Sequence, residues 1–437
     1  MSRFLYTLAL WLLLPWVILH LLWRGRRQPE YLKHWGERFG FYRAVSPKGT
    51  SFGASPAPSQ GIPLRITFWL HAVSVGETRA AQPLVAALKR RYPGHRILLT
   101  HMTPTGRQTS EQLFGDSVER IYLPYDYPFA VRRFLARYRP QLGLIMETEL
   151  WPNLIATCKE SGVPLALVNA RLSEKSARRY ARFPELTRGA LENLAAIAAQ
   201  NEADAERLRA LGAPRVEVLG NVKFDIAPPA GQMEQAQVFR GRIGKRPVFL
   251  AASTREGEEA LLLDAWQKVG AGETALLVIV PRHPQRFDEV AALVAARGLR
   301  TQRRSDDAVV APETQVWLGD SMGEMFAWCG AADVAFIGGS LLDFGSQNLI
   351  EAAAVGTPVL LGPSTYNFAQ AAKDAIAGGA AMQFGNAEEI VAMARRLLTD
   401  AAERQEMREA GLAFAARHRG ATARTLALVG RYMPAPS

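Results

Sequence analysis

From Arg65 onward the chain alternates between two hydrophobic rhythms. Short apolar runs bounded by turn residues recur as RITFWLHAV, HRILLTHM, VERIYLPY, LGLIMETE, PLALVNAR, LAAIAAQ and VEVLG. Between them lie stretches whose apolar positions fall three and four apart, such as TRAAQPLVAALKRRY. The first kind reads as strands buried on both faces, the second as amphipathic helices that cover them. Such alternation builds βαβ units and a parallel sheet. The pattern lapses over 226–246, IAPPAGQMEQAQVFRGRIGKR, and resumes with PVFLAAS, ALLVIVPRHP, TQVWLGD, DVAFIGGS and PVLLGPS. The spacing therefore predicts two similar α/β domains joined near residue 235, with a helical tail from about residue 385 that includes AEEIVAMARRLL and EAGLAFAARH.

Two segments stand outside that rhythm. Residues 44–63, AVSPKGTSFGASPAPSQGIP, are rich in Ser, Pro and Gly and read as a linker or exposed loop. Phe4 to Trp23, FLYTLALWLLLPWVILHLLW, is free of Asp, Glu, Lys and Arg and long enough as a helix to cross about 30 Å of hydrocarbon. A cleaved signal peptide is the competing reading. The stretch is long, carries aromatic residues near its ends and is followed by no small-x-small site, which favours an uncleaved anchor. Arg24, Arg26 and Arg27 follow it and Arg3 alone precedes it, so the positive-inside rule leaves the rest of the chain in the cytoplasm.

Composition changes this picture only in part. The 437 residues, 48% hydrophobic and 21% charged, suit two folded domains and exclude a disordered chain. A formal net charge of +11 favours anionic partners without choosing among them. Cys158 and Cys329, each in an apolar segment, offer no disulfide framework and suit a reducing compartment.

Ligands of open parallel sheets bind outside the carboxyl ends of the strands. Those positions here are polar: SVGE, TPTG, ETELWPN, NARLS and GNVKFD, then STREGEE, PRHPQR, GDSMGE, GGSLLDFGSQNLIE and GPSTYNF. If the two domains face each other, these loops line one cleft. No phosphate-binding P-loop, dinucleotide fingerprint, nucleophile elbow or zinc helix motif occurs, and the seven histidines lack ligand spacing. What remains is Glu, Arg, Lys, Asn and backbone amides, groups that suit an anionic, hydroxyl-rich ligand. Ser321 and Gly323 open a short helix able to receive a phosphate, or Ser321 and Glu324 form a plain capping box. Arg282 and Arg286 can clamp a phosphate or carboxylate, or simply be solvated. Asn348 and Glu351 can meet sugar hydroxyls, or Glu351 can serve the helix dipole.

Taken together these loops resemble the 3-deoxy-D-manno-octulosonic acid (Kdo) transferases of lipopolysaccharide assembly, over nearly the whole chain. The matches run in order from HWGERFG through HAVSVGE, METELWPNLI, NARLSEKS, GNVKFD, STREGEE, PRHPQRF, GDSMGE and GPSTYNF. The resemblance implies an α/β protein of two Rossmann-like domains facing a cleft, the GT-B glycosyltransferase fold, with an N-terminal transmembrane helix. It implies residues 1–27 as membrane anchor, 28–235 as acceptor-binding domain and 236–437 as donor-binding domain with C-terminal helices. The implied reaction is inverting transfer of Kdo from CMP-Kdo to the lipid A precursor (lipid IVA) at the cytoplasmic face of the inner membrane, with anionic inner-membrane lipid as a further partner and no nucleic acid. The catalytic base falls on Glu77 and a second acidic position on Glu149. Donor contacts fall on Arg282, on Ser321, Met322 and Gly323, and on Asn348 and Glu351, with Lys223 at the interdomain edge. No cofactor and no metal is expected, because no acidic pair is spaced to hold a metal. Many members carry GGHNPLE where this chain reads DFGSQNLIE; the Asn and Glu are kept and the His and Pro are not. Two other classes share part of the pattern: a sugar-nucleotide 2-epimerase of the same architecture, and a non-catalytic anionic-lipid-binding protein.

Glu77 has two readings from the residues alone. Ser74-x-x-Glu77 is a capping box for the helix that follows. A carboxylate at the end of the first strand is also placed to take a proton from an acceptor hydroxyl.

Overall fold

The protein is described here by a computed structural model covering residues 1–42, 67–225, 227–270 and 274–433. The 44–63 segment lies outside the described residues. The chain divides into two compact units, residues 1–226 with 419–437, and residues 227–418.

The first unit carries seven parallel strands: β1 (Thr67–His71), β2 (Arg96–His101), β3 (Glu119–Tyr122), β4 (Leu142–Met146), β5 (Leu165–Ala170), β6 (Ala196–Ala199) and β7 (Glu217–Val218), in the order β3-β2-β1-β4-β5-β6-β7. Both faces of this sheet are covered, which is why its strands are continuous apolar runs rather than alternating ones. Phe68 and Leu70 of β1 enter one core with Leu84 and Leu88, while Trp69 between them enters another with Phe134 and Ile155. Each such fully buried side chain contributes about 1.5–3 kcal/mol. Trp69 fits only because β4 offers Gly143, where a Cβ would sit 2.6 Å from the indole ring.

The second unit repeats the plan with β8 (Val248–Thr254), β9 (Leu276–Pro281), β10 (Thr301–Arg303), β11 (Val316–Leu318), β12 (Val334–Ile337), β13 (Val359–Leu361) and β14 (Ala381–Gln383), in the order β10-β11-β9-β8-β12-β13-β14. All pairings in both sheets are parallel. Strand order reverses at β1/β4 in the first sheet and at β8/β12 in the second, the crevices where such folds take ligands.

The division differs from the expected one in two ways. It falls at 226/227 rather than near 235, because the helix Ala230–Ile243 packs on the second unit: Arg240 pairs with Asp333 at 3.1 Å, and the Phe239 ring lies tilted against Trp328, 4.3 Å between centroids. The last helix, Ala421–Gly430, also belongs to the first unit, where Ala421, Leu428 and Val429 complete the core around Leu84 and Arg431 pairs with Glu217 at 2.6 Å. At the other end, helix α1 (Arg3–Arg27) is long and apolar enough to cross a membrane.

Candidate active site

The first unit's cluster grows out of the β1/β4 crevice. After β1 the chain runs through Ala72 and Val73 to Ser74, the N-cap of helix α2 (Val75–Ala80). Ser74 Oγ accepts the Glu77 N–H at 3.5 Å and donates to Glu77 Oε1 at 3.2 Å. The other oxygen, Oε2, accepts the Val73 N–H at 2.7 Å. Ser74 is therefore the N-cap, but the capping box is only half formed, because the Glu77 carboxylate returns to the Val73 N–H and not to that of Ser74. Beneath it, Gly106 of TPTG makes a close approach, since a Cβ there would lie 3.0 Å from the Val73 carbonyl.

Two buried histidines support the strand ends. The His101 Nδ1–H donates to the Ala72 carbonyl at 2.8 Å, and the His71 Nδ1–H to the Thr100 carbonyl at 3.1 Å. Burial holds both neutral, His71 pushed down to about 3 and His101 to about 4. They position the loop and carry no charge into it.

Across the crevice, β4 runs directly into METELWP. Glu147 takes a left-handed backbone (φ 60°), a conformation that costs a non-glycine residue about 1–3 kcal/mol, and its N–H donates to the Val168 carbonyl. That turn carries its carboxylate to Lys223 Nζ at 2.9 Å, with both side chains more than four-fifths buried. Glu149 turns elsewhere and accepts from Trp151 Nε1 at 2.8 Å. Lys223 sits on the short turn Val222–Asp225. Asn169 Oδ1 accepts the Val222 N–H at 3.1 Å, and the Asp225 carboxylate accepts the N–H groups of Gly420 and Thr422.

Glu77, Glu147, Glu149 and Lys223 thus form one group. β1 and β4 are neighbours, with His71 opposite Ile145, so Val73 and Glu147 leave the sheet side by side. Burial first, then the Glu147 charge and then that of Glu149, push Glu77 up to about 8; the bonds from Val73 and Ser74 oppose this. Glu149 is raised as well, by burial and then by Glu147, against the Trp151 bond. Sequence reasoning picked Glu149 and passed over Glu147, the residue that meets the lysine. The signal was available only as a second carboxylate two positions earlier. Lys223, expected among the donor contacts at the interdomain edge, lies in the first unit and pairs there with Glu147.

In the second unit the loops after β8, β9, β11 and β12 carry the remaining candidates. Arg282 follows β9, and its Nε donates to Gln347 Oε1 at 3.2 Å, which joins it to the loop of Asn348 and Glu351. Asn348 Nδ2 donates to Glu351 Oε1 at 3.1 Å while its Oδ1 accepts the Ile350 N–H. These two residues open the short helix Ile350–Ala354. Ser321, Met322 and Gly323 form the turn after β11, with Gly323 at φ 84°. The Ser321 hydroxyl bonds the Glu324 carboxylate, which also pairs with Arg304 at 3.1 Å. The helix there begins at Met325 with Glu324 as its cap, so Ser321 is not its N-cap residue as the capping-box reading had it.

Arg286 departs from expectation. It is buried, pairs with the fully buried Glu259 at 2.7 Å and with Glu289 at 3.0 Å, and so holds the β8 and β9 loops together instead of facing a ligand. Nearby, the Glu258 carboxylate accepts three backbone N–H groups, from Arg255, Gly339 and Leu341, and ties β8 to β12 at the switch point. Among the described residues no group of three or more His, Cys, Asp or Glu side chains is arranged to hold a metal ion.

The family model for 3-deoxy-D-manno-octulosonic-acid transferases matches residues 33–226. The 3-deoxy-D-manno-octulosonic acid transferase of Bordetella pertussis is 46% identical over 436 residues, covering 98% of each chain. That of Haemophilus influenzae is 35% identical over 438 residues, covering 99% of each. Among solved structures, a glycosyltransferase from Rickettsia africae superposes with a TM-score of 0.57 at 13% identity, over 84% of this chain and 98% of that one. A putative UDP-N-acetylglucosamine 2-epimerase from Listeria monocytogenes gives 0.56 at 16%, over 86% and 99%. At such identities these structures speak for the shared fold and not for the reaction. Full-length identity to the two transferases decides between the classes that this fold serves: the chain belongs to the 3-deoxy-D-manno-octulosonic acid transferase family.

Proposed function

We propose that this glycosyltransferase of lipopolysaccharide biosynthesis transfers Kdo from CMP-Kdo to a hydroxyl of the lipid A precursor, lipid IVA, at the cytoplasmic face of the inner membrane, with Glu77 as general base. The acceptor oxygen attacks the anomeric carbon from the face opposite CMP, and the bond from that carbon to the phosphate oxygen breaks, its electrons leaving with CMP. The configuration inverts, and the hydroxyl proton passes to the Glu77 carboxylate. Arg282, the Ser321–Gly323 turn, Asn348 and Glu351 hold the nucleotide sugar. Glu147 and Lys223 set the charge around the base, with Glu149 as a further carboxylate beside it.

The observation that carries this reading is the setting of Glu77, at the end of β1 beside Glu147, Glu149 and Lys223. A carboxylate that only caps a helix gains from staying ionised near the dipole's positive end. This one is instead set beside two further carboxylates and pushed up to about 8, where a general base for neutral-pH chemistry is useful. The test is whether CMP is released from CMP-Kdo only when a lipid A precursor is present. Release independent of acceptor, or none with it, refutes the transfer.

The reaction runs without metal in this reading. CMP-Kdo carries a single phosphate, and Arg282 supplies a positive charge to the departing CMP. Activity should survive EDTA; abolition by EDTA with recovery on adding magnesium contradicts it.

A further inference from the structure

The sequence reads α1 as a helix that crosses the bilayer, but one of its faces is already occupied. Tyr6 donates to Asp126 at 3.0 Å, Thr7 to Asn153 at 2.9 Å, and the Leu10 carbonyl accepts the Tyr127 hydroxyl at 2.8 Å. Trp11 stacks on Phe129, and Leu14, Ile18 and Leu21 pack with Tyr31, Phe39 and Tyr125. Arg3 pairs with Glu160 at 2.7 Å at one end, and Arg24 donates to the Tyr31 hydroxyl at 2.8 Å near the other. Asp126 is buried, and its carboxylate also accepts the N–H groups of Asn153 and Leu154 at the start of the helix Pro152–Glu160. The contacts of α1 thus join a network that holds the first unit's own fold.

Arg3 to Arg24 spans about 32 Å at 1.5 Å per residue, close to the whole thickness of a hydrocarbon core. A helix seated over that length cannot stand across a bilayer without drawing loops and sheet ends of the first unit into hydrocarbon, where their backbone groups find no partners. The outward face tells the rest. Phe4, Leu8, Leu12, Trp16, Leu19 and Trp23 are all exposed, and with Leu5, Leu13 and Leu22, exposed as well, they cover an arc of about 180° at 100° per residue. Exposed Arg26 and Arg27 close its last turn, and exposed Lys33, Trp35 and Phe41 follow beyond its C-terminal end.

Resting on the membrane-resident reading above, we propose that α1 is an in-plane helix: it stays seated on the first unit and buries only its outward apolar face in the cytoplasmic leaflet. An apolar face bordered by cations fits a leaflet containing anionic phospholipid, the aromatic rings at headgroup depth and the arginines on the phosphates.

A topology measurement on the full chain decides it. Ser2→Cys and Lys33→Cys are made separately; the native Cys158 and Cys329 are buried and stay silent to the reagent. Each variant is reconstituted into sealed vesicles of phosphatidylethanolamine and phosphatidylglycerol and treated with a membrane-impermeant maleimide before and after detergent. An in-plane helix leaves both positions on one side, so the two cysteines label to the same fraction before detergent. Lys33→Cys labelled and Ser2→Cys protected until detergent is added means a spanning helix and overturns the proposal. In a second measurement, Leu12→Arg with Trp16→Arg should lower the fraction of chain floating with the vesicles at least tenfold. Unchanged flotation with loss of a dimer means that a second copy covers this face, and also overturns it. An unmodified chain that never floats refutes membrane residence itself, a failure distinct from protection of Ser2→Cys in a chain that does float.

Discussion

Glu77→Gln separates the base from the cap, because the structure shows what the amide keeps and what it loses. The amide oxygen can still accept the Val73 N–H, now bonded at 2.7 Å, and the amide nitrogen faces Ser74 Oγ, which can accept as well as donate. Fold stability should therefore change by no more than about 1 kcal/mol at pH 4, below both the folded and the unfolded value, where the carboxyl is neutral like the amide. The difference should grow with pH. With its folded value raised to about 8 against 4.5 unfolded, Glu77 contributes stability that is fully present below 4.5 and lost as pH rises through 8. Gln has no such loss, so the variant should match the native chain at pH 4 and melt increasingly higher than it from pH 5 to pH 9. Turnover should do the opposite. At pH 7 about a tenth of Glu77 is ionised, so native kcat/KM should climb tenfold to a plateau above pH 8. Gln cannot take the proton, and turnover should fall by about 10²–10⁴-fold, or about 2.7–5.5 kcal/mol of transition-state stabilisation, with CMP-Kdo binding retained. Single-turnover transfer of labelled Kdo to the lipid acceptor across pH 6–9, beside thermal melts from pH 4 to 9, reads all of this. Near-native turnover in Glu77→Gln, or a native rate flat through pH 8, refutes the base; Ser74→Ala should instead cost about 1 kcal/mol of stability and keep most of the turnover.

Glu147→Gln removes the nearest like charge and frees the Lys223 ammonium, and both changes lower Glu77; the rising limb of the pH–rate profile should move to lower pH, and an upward shift contradicts the grouping. Arg282→Ala and Glu351→Ala should each weaken CMP-Kdo binding by about 1.5–3 kcal/mol in calorimetry, and unchanged affinity in both removes the second unit from the donor site. Arg286→Ala should lower stability by about 3–5 kcal/mol, because it leaves the Glu259 carboxylate buried and unpaired, while donor affinity of the folded protein holds; lost affinity at unchanged melting temperature reverses that assignment.

Much of the fold was legible in the residues. Twelve of the fourteen strands among the described residues coincide with an apolar run, because a strand buried on both faces must be apolar at every position. The two that escaped, β10 and β14, are three-residue edge strands, Thr301–Arg303 and Ala381–Gln383, covered on fewer sides and so free to carry Gln and Arg. The Ser74 cap of the helix that carries Glu77 was equally readable, since a helix N-terminus is a local device. Pairings between residues distant in sequence were not. In METELWP both glutamates sit two apart, and strand alternation alone would aim them the same way. Only the left-handed turn at Glu147 sends one to Lys223, 76 positions on, and leaves the other to Trp151. Arg286 looked like a free arginine after a strand until the fold buried it on Glu259. The helix Ala421–Gly430 has the composition of any terminal amphipath, and its place in the first unit depends on Asp225 receiving Gly420 and Thr422. Likewise, an apolar stretch of twenty residues states that α1 shuns water, but whether it crosses a membrane or lies along one depends on which face the folded unit has already claimed. Local periodicity determines the elements and the family motifs; the charge on Glu77, the partner of each glutamate and the seat of α1 arise only when the packed fold sets distant groups within a few ångströms of one another, out of water.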